Sequence, residues 1–300
     1  MTLEQLRIFL AVAERQHMTR AAEVLNLTQP AVSAAIAALE ARHGLPLFHR
    51  IGRSIELTEA GKLLHVEAQA ILRRVQDAET SLADLRGLRR GRLRLAASQT
   101  VGNYWLPPLM ARFRRAFANI DLDLTIGNTE QVAVAVREGA AELGIVEGPV
   151  SGDVFEEQLL PGDRLLLVAA ATDAGLKLSR QISPLGAADE ALLAGGDWVW
   201  RETGSGTRQL MELMLRKLGL DPANLPRSLE LPSNEAVRLA VEAGAGFTII
   251  SALAVAASIQ EGRLLSWELP EAERRFRLLR HRSYQASQAA MAFTTMVTGV

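Results

Sequence analysis

The sequence of 300 residues contains no cysteine. Disulfides, thiolate metal ligands and cysteine nucleophiles are therefore excluded from this chain, and their absence fits a reducing compartment such as the cytoplasm. Histidine is scarce as well, since there are five and only His281 lies beyond residue 65. The C-terminal two-thirds thus has few candidate general bases, and we expect no catalytic site, metal site or cofactor.

Long apolar runs and an excess of one charge are also lacking. Glu4, Arg7 and Glu14 interrupt the N-terminus, which therefore has no apolar core of a signal peptide, and no later run approaches the length of a membrane span. The net charge of −1 gives no overall signature of nucleic-acid binding, so such binding would depend on local geometry. We expect a cytoplasmic protein without membrane contact.

Apolar residues at helical spacing predict three helices near the N-terminus. The first covers residues 3–15, Thr19 is positioned to cap the second, and Thr28 precedes Pro30 in the first turn of the third, which Gly44 ends. Two short helices joined by a tight turn and braced by another form a helix-turn-helix, in which one helix enters the major groove of DNA. An ordinary three-helix core has the same pattern.

Residues 45–57 contain Pro46 and Gly52 among alternating apolar residues, which predicts a short hairpin or wing. Its cationic side chains Arg50 and Arg53 could meet DNA phosphates. A solvated turn is the alternative.

Residues 58–86 contain no proline and no glycine after Gly61, which predicts one long helix. Apolar residues recur in it at alternating steps of four and three, the spacing of a heptad seam. They are Leu64, Ala68, Ile71, Val75, Ala78, Leu82 and Leu85. We expect this seam to pair with a second copy of the chain, the alternative being a partner within the chain. The basic, glycine-punctuated residues 86–91 then mark a domain boundary.

Beyond residue 91, strand-like and helical segments alternate. Strands are predicted at residues 93–97, 122–126, 143–146, 165–170, 198–200, 229–231 and 247–250, and helices at residues 106–117, 132–138, 209–218, 235–243 and 286–296. Such alternation is typical of an α/β fold with a mostly parallel sheet covered by helices, and its length is enough for two lobes. Ligands of open α/β sheets bind outside the carboxyl ends of the strands.

The sequence resembles the LysR-type transcriptional regulators over essentially its whole length. The most specific part is AAEVLNLTQPAVS at residues 21–33, followed by ALE at residues 38–40, Gly44, LF at residues 47–48 and LTEAG at residues 57–61. Chance agreement over that length is remote.

The resemblance implies several domains: an all-α winged helix-turn-helix, a long linker helix, and an effector domain with the two-lobed α/β fold of periplasmic binding proteins. The expected bounds are residues 1–57 for the DNA-binding domain, 58–86 for the dimerising helix, 87–91 for a hinge and 92–300 for the effector domain. Lobe I would take about residues 92–162 and 265–300 and lobe II about residues 163–264, with the second crossing near residues 264–269. The resemblance also implies homodimers that assemble into a homotetramer on promoter DNA, and contact with RNA polymerase.

Candidate DNA contacts lie in the helix-turn-helix and the wing. Gln29 and Ser33 can reach base edges, and Ala34 can contact thymine methyl groups. The remaining candidates are Arg20, Arg50 and Arg53 as phosphate contacts, and Thr28 and Pro30 at the helix start. Members of the family commonly have a long polar pair after Ser33, whereas this sequence has two alanines. Readout by hydrogen bonds is reduced accordingly, and we expect DNA shape to supply part of the specificity.

Polar residues cluster where predicted strands end and helices begin. These clusters are residues 98–100, 128–130, 202–207 and 233–234. The candidate contacts are Ser98, Gln99, Thr100, Asn128, Thr129, Thr203, Gly204, Ser205 and Ser233, and Glu147 is added as a candidate at the same edge. Hydroxyls and free amides at helix N-termini make anion sites, so we hypothesise that a small anion or carboxylate binds between the lobes. Helix capping alone is the alternative for each cluster.

Acidic residues in these segments would oppose an anion if they pointed inward. Glu147 and Glu202 are the two concerned, and they could instead hold Arg201 or Arg208 in place. Residues 127–129, 144–149 and 201–208 resemble the branch that contains sulfur-assimilation and carbon-fixation regulators. That resemblance implies an inorganic sulfur anion or a phosphorylated metabolite as the effector.

Two other functions compete with a ligand-responsive regulator. One is a DNA-binding protein that has no ligand and tolerates many sequences. The other is an α/β enzyme with a helical N-terminal extension, for which one histidine and the two lysines Lys177 and Lys217 offer few catalytic groups.

Overall fold

The computed structural model describes residues 1–51, 54–84, 91–172 and 190–299. The chain forms two compact units, Met1–Arg86 and Gly87–Val300. Within the described ranges, no helix is both long and apolar enough to cross a bilayer.

The first unit begins with three helices, α1 (Leu3–Arg15), α2 (Met18–Leu25) and α3 (Gln29–His43). Their apolar faces meet in one core, in which Phe9 and Leu39 are fully buried. The start and end of α3 agree with the prediction. Thr28 Oγ1 accepts a hydrogen bond from the Ala31 N–H at 3.4 Å, and Gly44 ends the helix with a φ of +66°.

The start of α2 differs from the prediction. His17, and not Thr19, occupies the N-cap position, and its Nδ1 atom accepts a hydrogen bond from the Thr19 N–H at 3.2 Å. A neutral imidazole nitrogen accepts a hydrogen bond as a hydroxyl oxygen does. The helix therefore begins at Met18.

An antiparallel hairpin follows, formed by β1 (Phe48–Ile51) and β2 (Ser54–Leu57). The ring centroid of Phe48 lies 5.4 Å from that of Phe9 in α1, which attaches the hairpin to the helices. The hairpin predicted for residues 45–57 is confirmed. Gly52, Arg53 and the side chain of Arg50 lie outside the described residues.

The long helix α4 (Glu59–Asp84) changes the interpretation of the heptad seam. Leu64, Ala68 and Ile71 pack against the core of their own unit, and Ala68 is fully buried there. The short helices leave one side of that core open, and α4 covers it. The heptad spacing alone cannot distinguish a partner within the chain from a second copy of the chain. Val75 is half-buried, Ala78 is exposed, and Leu85 and the side chain of Leu82 lie outside the described residues.

The second unit is built on a sheet with the strand order β4-β3-β5-β10-β6-β9. Its strands are β3 (Gly91–Ser98), β4 (Ile120–Gly127), β5 (Leu143–Val146), β6 (Phe155–Ala170), β9 (Thr248–Ser251) and β10 (Leu264–His281). A two-stranded sheet of β7 (Trp198–Arg201) and β8 (Arg227–Leu231) adjoins β9 through a bridge between Trp198 and Phe247. β3 runs parallel to β4 and β5, whereas β6 and β10 run antiparallel to their neighbours. The sheet is mixed, so the prediction of a mostly parallel sheet is wrong.

Helices connect these strands. They are α5 (Leu106–Ala116), α6 (Thr129–Arg137), α7 (Glu190–Gly195), α8 (Gly206–Lys217), α9 (Asn234–Glu242), α10 (Ala252–Gln260) and α11 (Gln288–Thr298). A π-helical turn, Val101–Trp105, precedes α5. The sequence predicted α5, α6, α8, α9 and α11 within a few residues, but it did not predict the π-helical turn or α10.

The long strands β6 and β10 pass between two groups of elements, which we call lobe I (residues 91–160 and 276–299) and lobe II (residues 165–172 and 190–269). Residues 155–160 of β6 pair with residues 276–281 of β10, and residues 166–170 pair with residues 264–268. The second passage therefore falls at residues 270–275, later than the expected residues 264–269. Each lobe has its own core, with Phe113, Phe276 and Phe293 in lobe I and Trp198, Trp200 and Ile249 in lobe II.

Candidate functional sites

Helix α3 has an exposed side made of small residues. Val32, Ile36 and Leu39 are buried in the core, so the opposite side of the helix reaches the surface. The exposed residues of α3 and its N-cap are Thr28, Gln29, Pro30, Ala31, Ala34, Ala37, Ala38 and Ala41, followed by Arg42 and His43 in the last turn. Ser33 is half-buried at the edge of this side. Small side chains allow another surface to come close to the helix backbone.

A tight turn joins α2 to α3. Asn26 ends α2 in the left-handed region, with a φ of +54°, and the Leu27 N–H donates to the Ala22 carbonyl oxygen at 2.9 Å. This turn, α3 and the exposed Arg20 on α2 have the arrangement of a helix-turn-helix with its second helix on the surface,.

A polar cleft lies between the two lobes of the second unit. Its residues follow directly on strands: Ser98 ends β3, Asn128 follows β4, Glu147 follows β5, and Arg201 ends β7. The carboxyl ends of parallel strands share one edge of a sheet. The strand ends of lobe I therefore meet those of lobe II in this cleft.

Glu147 lies at the centre of the cleft and is 4% exposed. Its carboxylate accepts hydrogen bonds from the hydroxyls of Ser98, of Thr100 at 3.4 Å and of Thr207 at 3.2 Å. Burial raises the pKa of Glu147, and the nearby charges of Arg274 and Arg201 oppose this shift. The buried Glu147 carboxylate thus accepts hydrogen bonds from hydroxyls of both lobes.

A chain of hydrogen bonds connects Glu147 to a buried arginine. The Arg201 guanidinium, 3% exposed, donates to Asn234 Oδ1 and pairs with Glu202 at 2.8 Å. Asn234 Nδ2 donates in turn to Thr100 Oγ1 at 3.0 Å. Because Thr100 accepts this bond, its own proton is free to point at Glu147.

Further hydrogen bonds hold the lobes together at the edges of the cleft. The Gln99 side chain of lobe I donates to the Pro232 carbonyl oxygen at 2.8 Å and accepts from the Asn234 N–H at 2.9 Å. Asn128 Nδ2 donates to Glu202 Oε1 at 3.3 Å. On the π-helical turn, the Tyr104 hydroxyl donates to Glu235 Oε1 at 2.8 Å. The cleft is therefore closed in this structure.

Two glycines allow this close approach of the lobes. A Cβ atom on Gly206, the first residue of α8, would lie 2.9 Å from the Gly148 nitrogen and would collide with Thr129 Oγ1. The Thr129 hydroxyl is 2% exposed and has no hydrogen-bond partner. It therefore faces the N-terminus of α8 as a free polar group.

The predicted effector residues separate into three groups. Ser98, Gln99, Thr100, Asn128, Thr129 and Glu147 come together in the cleft with Gly204, whose carbonyl oxygen accepts from the Glu130 N–H at 3.3 Å. Ser205 and Ser233 instead cap α8 and α9. Thr203 is exposed and accepts a hydrogen bond from Arg208 at 3.4 Å, so it does not reach Glu147.

Sequence reasoning missed two residues of the cleft and did not place a third. Thr207 and Asn234 lie in the predicted polar clusters but were not chosen as effector contacts, and Arg201 was considered only as a possible neighbour of a glutamate. Thr207 takes the place expected of Thr203, because α8 begins at Gly206 and presents its second residue to Glu147. The only signal was one more threonine in the same glycine-rich segment. Glu147 points inward, and Glu202 bridges Arg201 and Asn128.

A second buried charge pair lies where β6 and β10 pass between the lobes. The side chains of Asp163 and Arg274 are 3% and 5% exposed, and Asp163 also accepts from the Ser251 hydroxyl. An open cavity of about 540 Å³ adjoins this pair and is lined by Gly162, Arg164, Glu273 and Arg275 as well. In the described part of the chain, no group of three or more acidic, histidine or cysteine side chains is arranged to hold a metal ion.

Comparison with known families identifies the chain. Residues 3–62 match the family described as bacterial regulatory helix-turn-helix protein, lysR family, and residues 86–300 match the LysR substrate binding domain. The protein is thus a DNA-binding transcriptional regulator with an effector-binding domain. It belongs to the LysR family.

Relatives and solved structures agree with this assignment. The chain is 33% identical to the HTH-type transcriptional regulator YeiE of Escherichia coli (strain K12), over 97% of this chain and 95% of that protein. It is 36% identical to the RuBisCO operon transcriptional regulator of Allochromatium vinosum, over 99% and 95%. The structure of full-length CbnR complexed with its target DNA has the same fold, with a TM-score of 0.71 at 23% identity over 99% of both chains.

The glycine contact gives a first prediction. Gly206→Ala should hold the lobes apart, because the added methyl group has no space beside Thr129 and Gly148. Overpacking of this kind costs about 1–3 kcal/mol. Hydrogen exchange measured by mass spectrometry should be about tenfold faster in peptides covering residues 98–104 and 232–236. Gly195→Ala is the control, since a Cβ atom there meets nothing within 4 Å. Equal exchange in both variants would contradict the close-contact argument.

The buried carboxylate gives a second prediction. Because its folded-state pKa is raised, Glu147 contributes most to stability at low pH and loses that contribution as the pH rises above 4.5 through the folded-state pKa,. Glu147→Gln should therefore raise the melting temperature at pH 8 by about 2–4 °C, with a smaller gain at pH 5. The exposed Glu130→Gln should leave it unchanged at both pH values. A gain in melting temperature that is larger at pH 5 than at pH 8 would contradict the upward shift of the Glu147 pKa.

Proposed function

We propose that this LysR-family regulator senses a small oxyanion in the cleft between its lobes and adjusts promoter binding in response. The observation that carries the proposal is the unpartnered, buried Thr129 hydroxyl, which faces the N-terminus of α8. The first N–H groups of a helix have no partner within it, and the helix dipole favours negative charge there. A hydroxyl and free amides facing one another form an anion site.

The hydroxyls around Glu147 support the same class of ligand. Ser98, Thr100 and Thr207 donate to the Glu147 carboxylate, and this supports an oxyanion as the class of ligand that enters beside it. A solved relative of the same fold is the CcmR regulatory domain of Synechocystis PCC6803 in complex with 2-PG, with a TM-score of 0.58 at 24% identity over 70% of this chain and 97% of that one. We therefore include 2-PG with phosphate and sulfite among the candidates.

The effector proposal is tested by thermal shift and footprinting on the full-length protein. Phosphate, sulfite or 2-PG at 100 times its Kd should stabilise the effector domain by about 2.7 kcal/mol, and the same anion should change the footprint on DNA next to the gene of the protein. Thr129→Ala should abolish the shift because it removes the free hydroxyl. Thr125→Ala, at an exposed position on β4, is the matched control. Absence of any shift in the wild-type protein would overturn oxyanion sensing.

For DNA, we propose that α3 enters the major groove and that Gln29, Ser33 and Ala34 contact base edges. Thr28 and Pro30 set the start of the helix, and Arg20, Arg50 and Arg53 contact phosphates. The exposed alanines of α3 favour contact with thymine methyl groups over hydrogen-bond readout. Since promoter DNA is the partner, we expect the protein to act in the cytoplasm. We infer the domain bounds to be residues 1–57, 58–86, 87–91 and 92–300.

We also propose that α4 forms a homodimer, two of which assemble on DNA and contact RNA polymerase. Leu63 and Val66 on α4 are 68% and 53% exposed, and apolar side chains of this size favour a covering partner,. The dimer contact thus includes these residues beside the later part of the predicted seam.

Val66→Glu should produce monomers and weaken operator binding about a hundredfold or more, because paired half-sites are read by paired helices. Sedimentation velocity and gel-shift titration measure the two effects. Val24→Glu, at an equally exposed position on α2, should leave the dimer intact. A Val66→Glu protein that still sediments as a dimer would rule out this face of α4.

A further inference from the structure

The cleft contains the Glu147 carboxyl group, whose ionised form has the same sign as the effector we propose. We propose that the oxyanion binds together with one proton, which lies between the Glu147 carboxyl group and the anion. The cleft would then select weakly acidic oxyanions, such as phosphate, phosphate monoesters and sulfite, over sulfate. This inference rests on the proposed function and concerns which oxyanions the same site accepts.

The donors left for an anion lie next to Glu147. Thr129 Oγ1 is buried without a partner, and it faces Gly206 at the N-terminus of α8. The following residue, Thr207, donates its hydroxyl proton to Glu147 at 3.2 Å. An anion held by Thr129 and the first turn of α8 therefore comes into contact with the Glu147 carboxyl group when the lobes part to admit it.

The hydroxyls that donate to Glu147 cannot also donate to the anion. A hydroxyl has one proton, and the protons of Ser98, Thr100 and Thr207 point at Glu147,. Thr100 accepts from Asn234 Nδ2 at 3.0 Å, which leaves its own proton for Glu147. Where the anion meets an ionised Glu147, two acceptors face each other without a proton. One added proton converts that contact into a charge-assisted hydrogen bond.

The neighbouring cations do not remove the need for that proton. The charged groups that act on Glu147 are Arg274 on β10 and Arg201 on β7. Arg274 is paired through two nitrogens with Asp163 on β6, and Arg201 is paired with Glu202 at 2.8 Å. Each of these charges already faces one carboxylate, and although Arg274 Nη1 is buried without a hydrogen-bond partner, no unpaired positive charge offsets a second anion beside Glu147.

The shift of the Glu147 pKa agrees with this geometry. Burial raises the pKa, so the group takes up a proton more readily than an exposed glutamic acid does,. An anion in contact with it raises the pKa further. Phosphate and sulfite can bring the proton themselves near neutral pH, whereas sulfate cannot, and this difference is the basis of selection.

Calorimetry of the full-length protein tests the inference. Titrations of phosphate, sulfite and sulfate at pH 7 in buffers of different ionisation enthalpy give the number of protons taken up on binding. The wild-type protein should take up about one proton more per site than Glu147→Gln when sulfate binds, because sulfate brings no proton, and this difference should be smaller for phosphate and sulfite. The wild-type affinity for sulfate should fall about tenfold per pH unit above pH 7, and Glu147→Gln should bind sulfate at least tenfold more tightly than the wild type at pH 8.

Glu130→Gln is the matched control, since it removes the same charge at an exposed position of lobe I; its proton count should equal that of the wild type. Sulfate binding with equal proton counts in the wild type and Glu147→Gln, and with a wild-type affinity that does not fall above pH 7, would overturn this inference and leave oxyanion sensing in place. That result would mean that the Glu147 carboxylate stays ionised and moves aside. If none of the three anions gives heat or a thermal shift with either protein, the proposed sensing fails and this inference fails with it.

Discussion

The pairing of β6 with β10 fixes the geometry on which the cleft depends. These strands pass through both lobes, and the buried ion pair of Asp163 and Arg274 lies where they pass. Breaking a buried pair by removing one partner costs about 3–5 kcal/mol, because it leaves an uncompensated charge out of water. The pair therefore fixes the register of the two strands at this point. That register determines how the strand ends of lobe I face those of lobe II.

Much of the fold follows from local signals. The helices α1 and α3 agree with prediction because apolar spacing and caps such as Thr28 and Gly44 act within a few residues. The first half of β6 was missed because Glu156, Glu157 and Gln158 are exposed and give no apolar alternation. The direction of β6 and β10 was also missed, since strand direction depends on contacts between residues 94 to 126 positions apart in sequence.

The candidate cleft was predictable as a region and less so residue by residue. Polar residues after strands identified the correct edge of the sheet, because strand ends are visible in the sequence. Thr203 and Thr207 could not be told apart, since the difference depends on whether α8 starts before or after the residue concerned. The heptad pattern of α4 likewise did not identify the surface that the helix packs against. Leu64, Ala68 and Ile71 have the spacing of a dimer seam but cover the core of their own unit.

The hydrogen-bond chain from Arg201 through Asn234 and Thr100 to Glu147 has a consequence for how this cleft can change. Asn234 accepts from one neighbour and donates to the next, so its replacement leaves groups in both lobes unsatisfied at once. Energies in such a network are not additive, and no single member has a contribution of its own. Substitutions at these positions are tolerated best in combination. A new ligand preference would therefore arise through coordinated replacement of the chain, and not through a series of independent single steps.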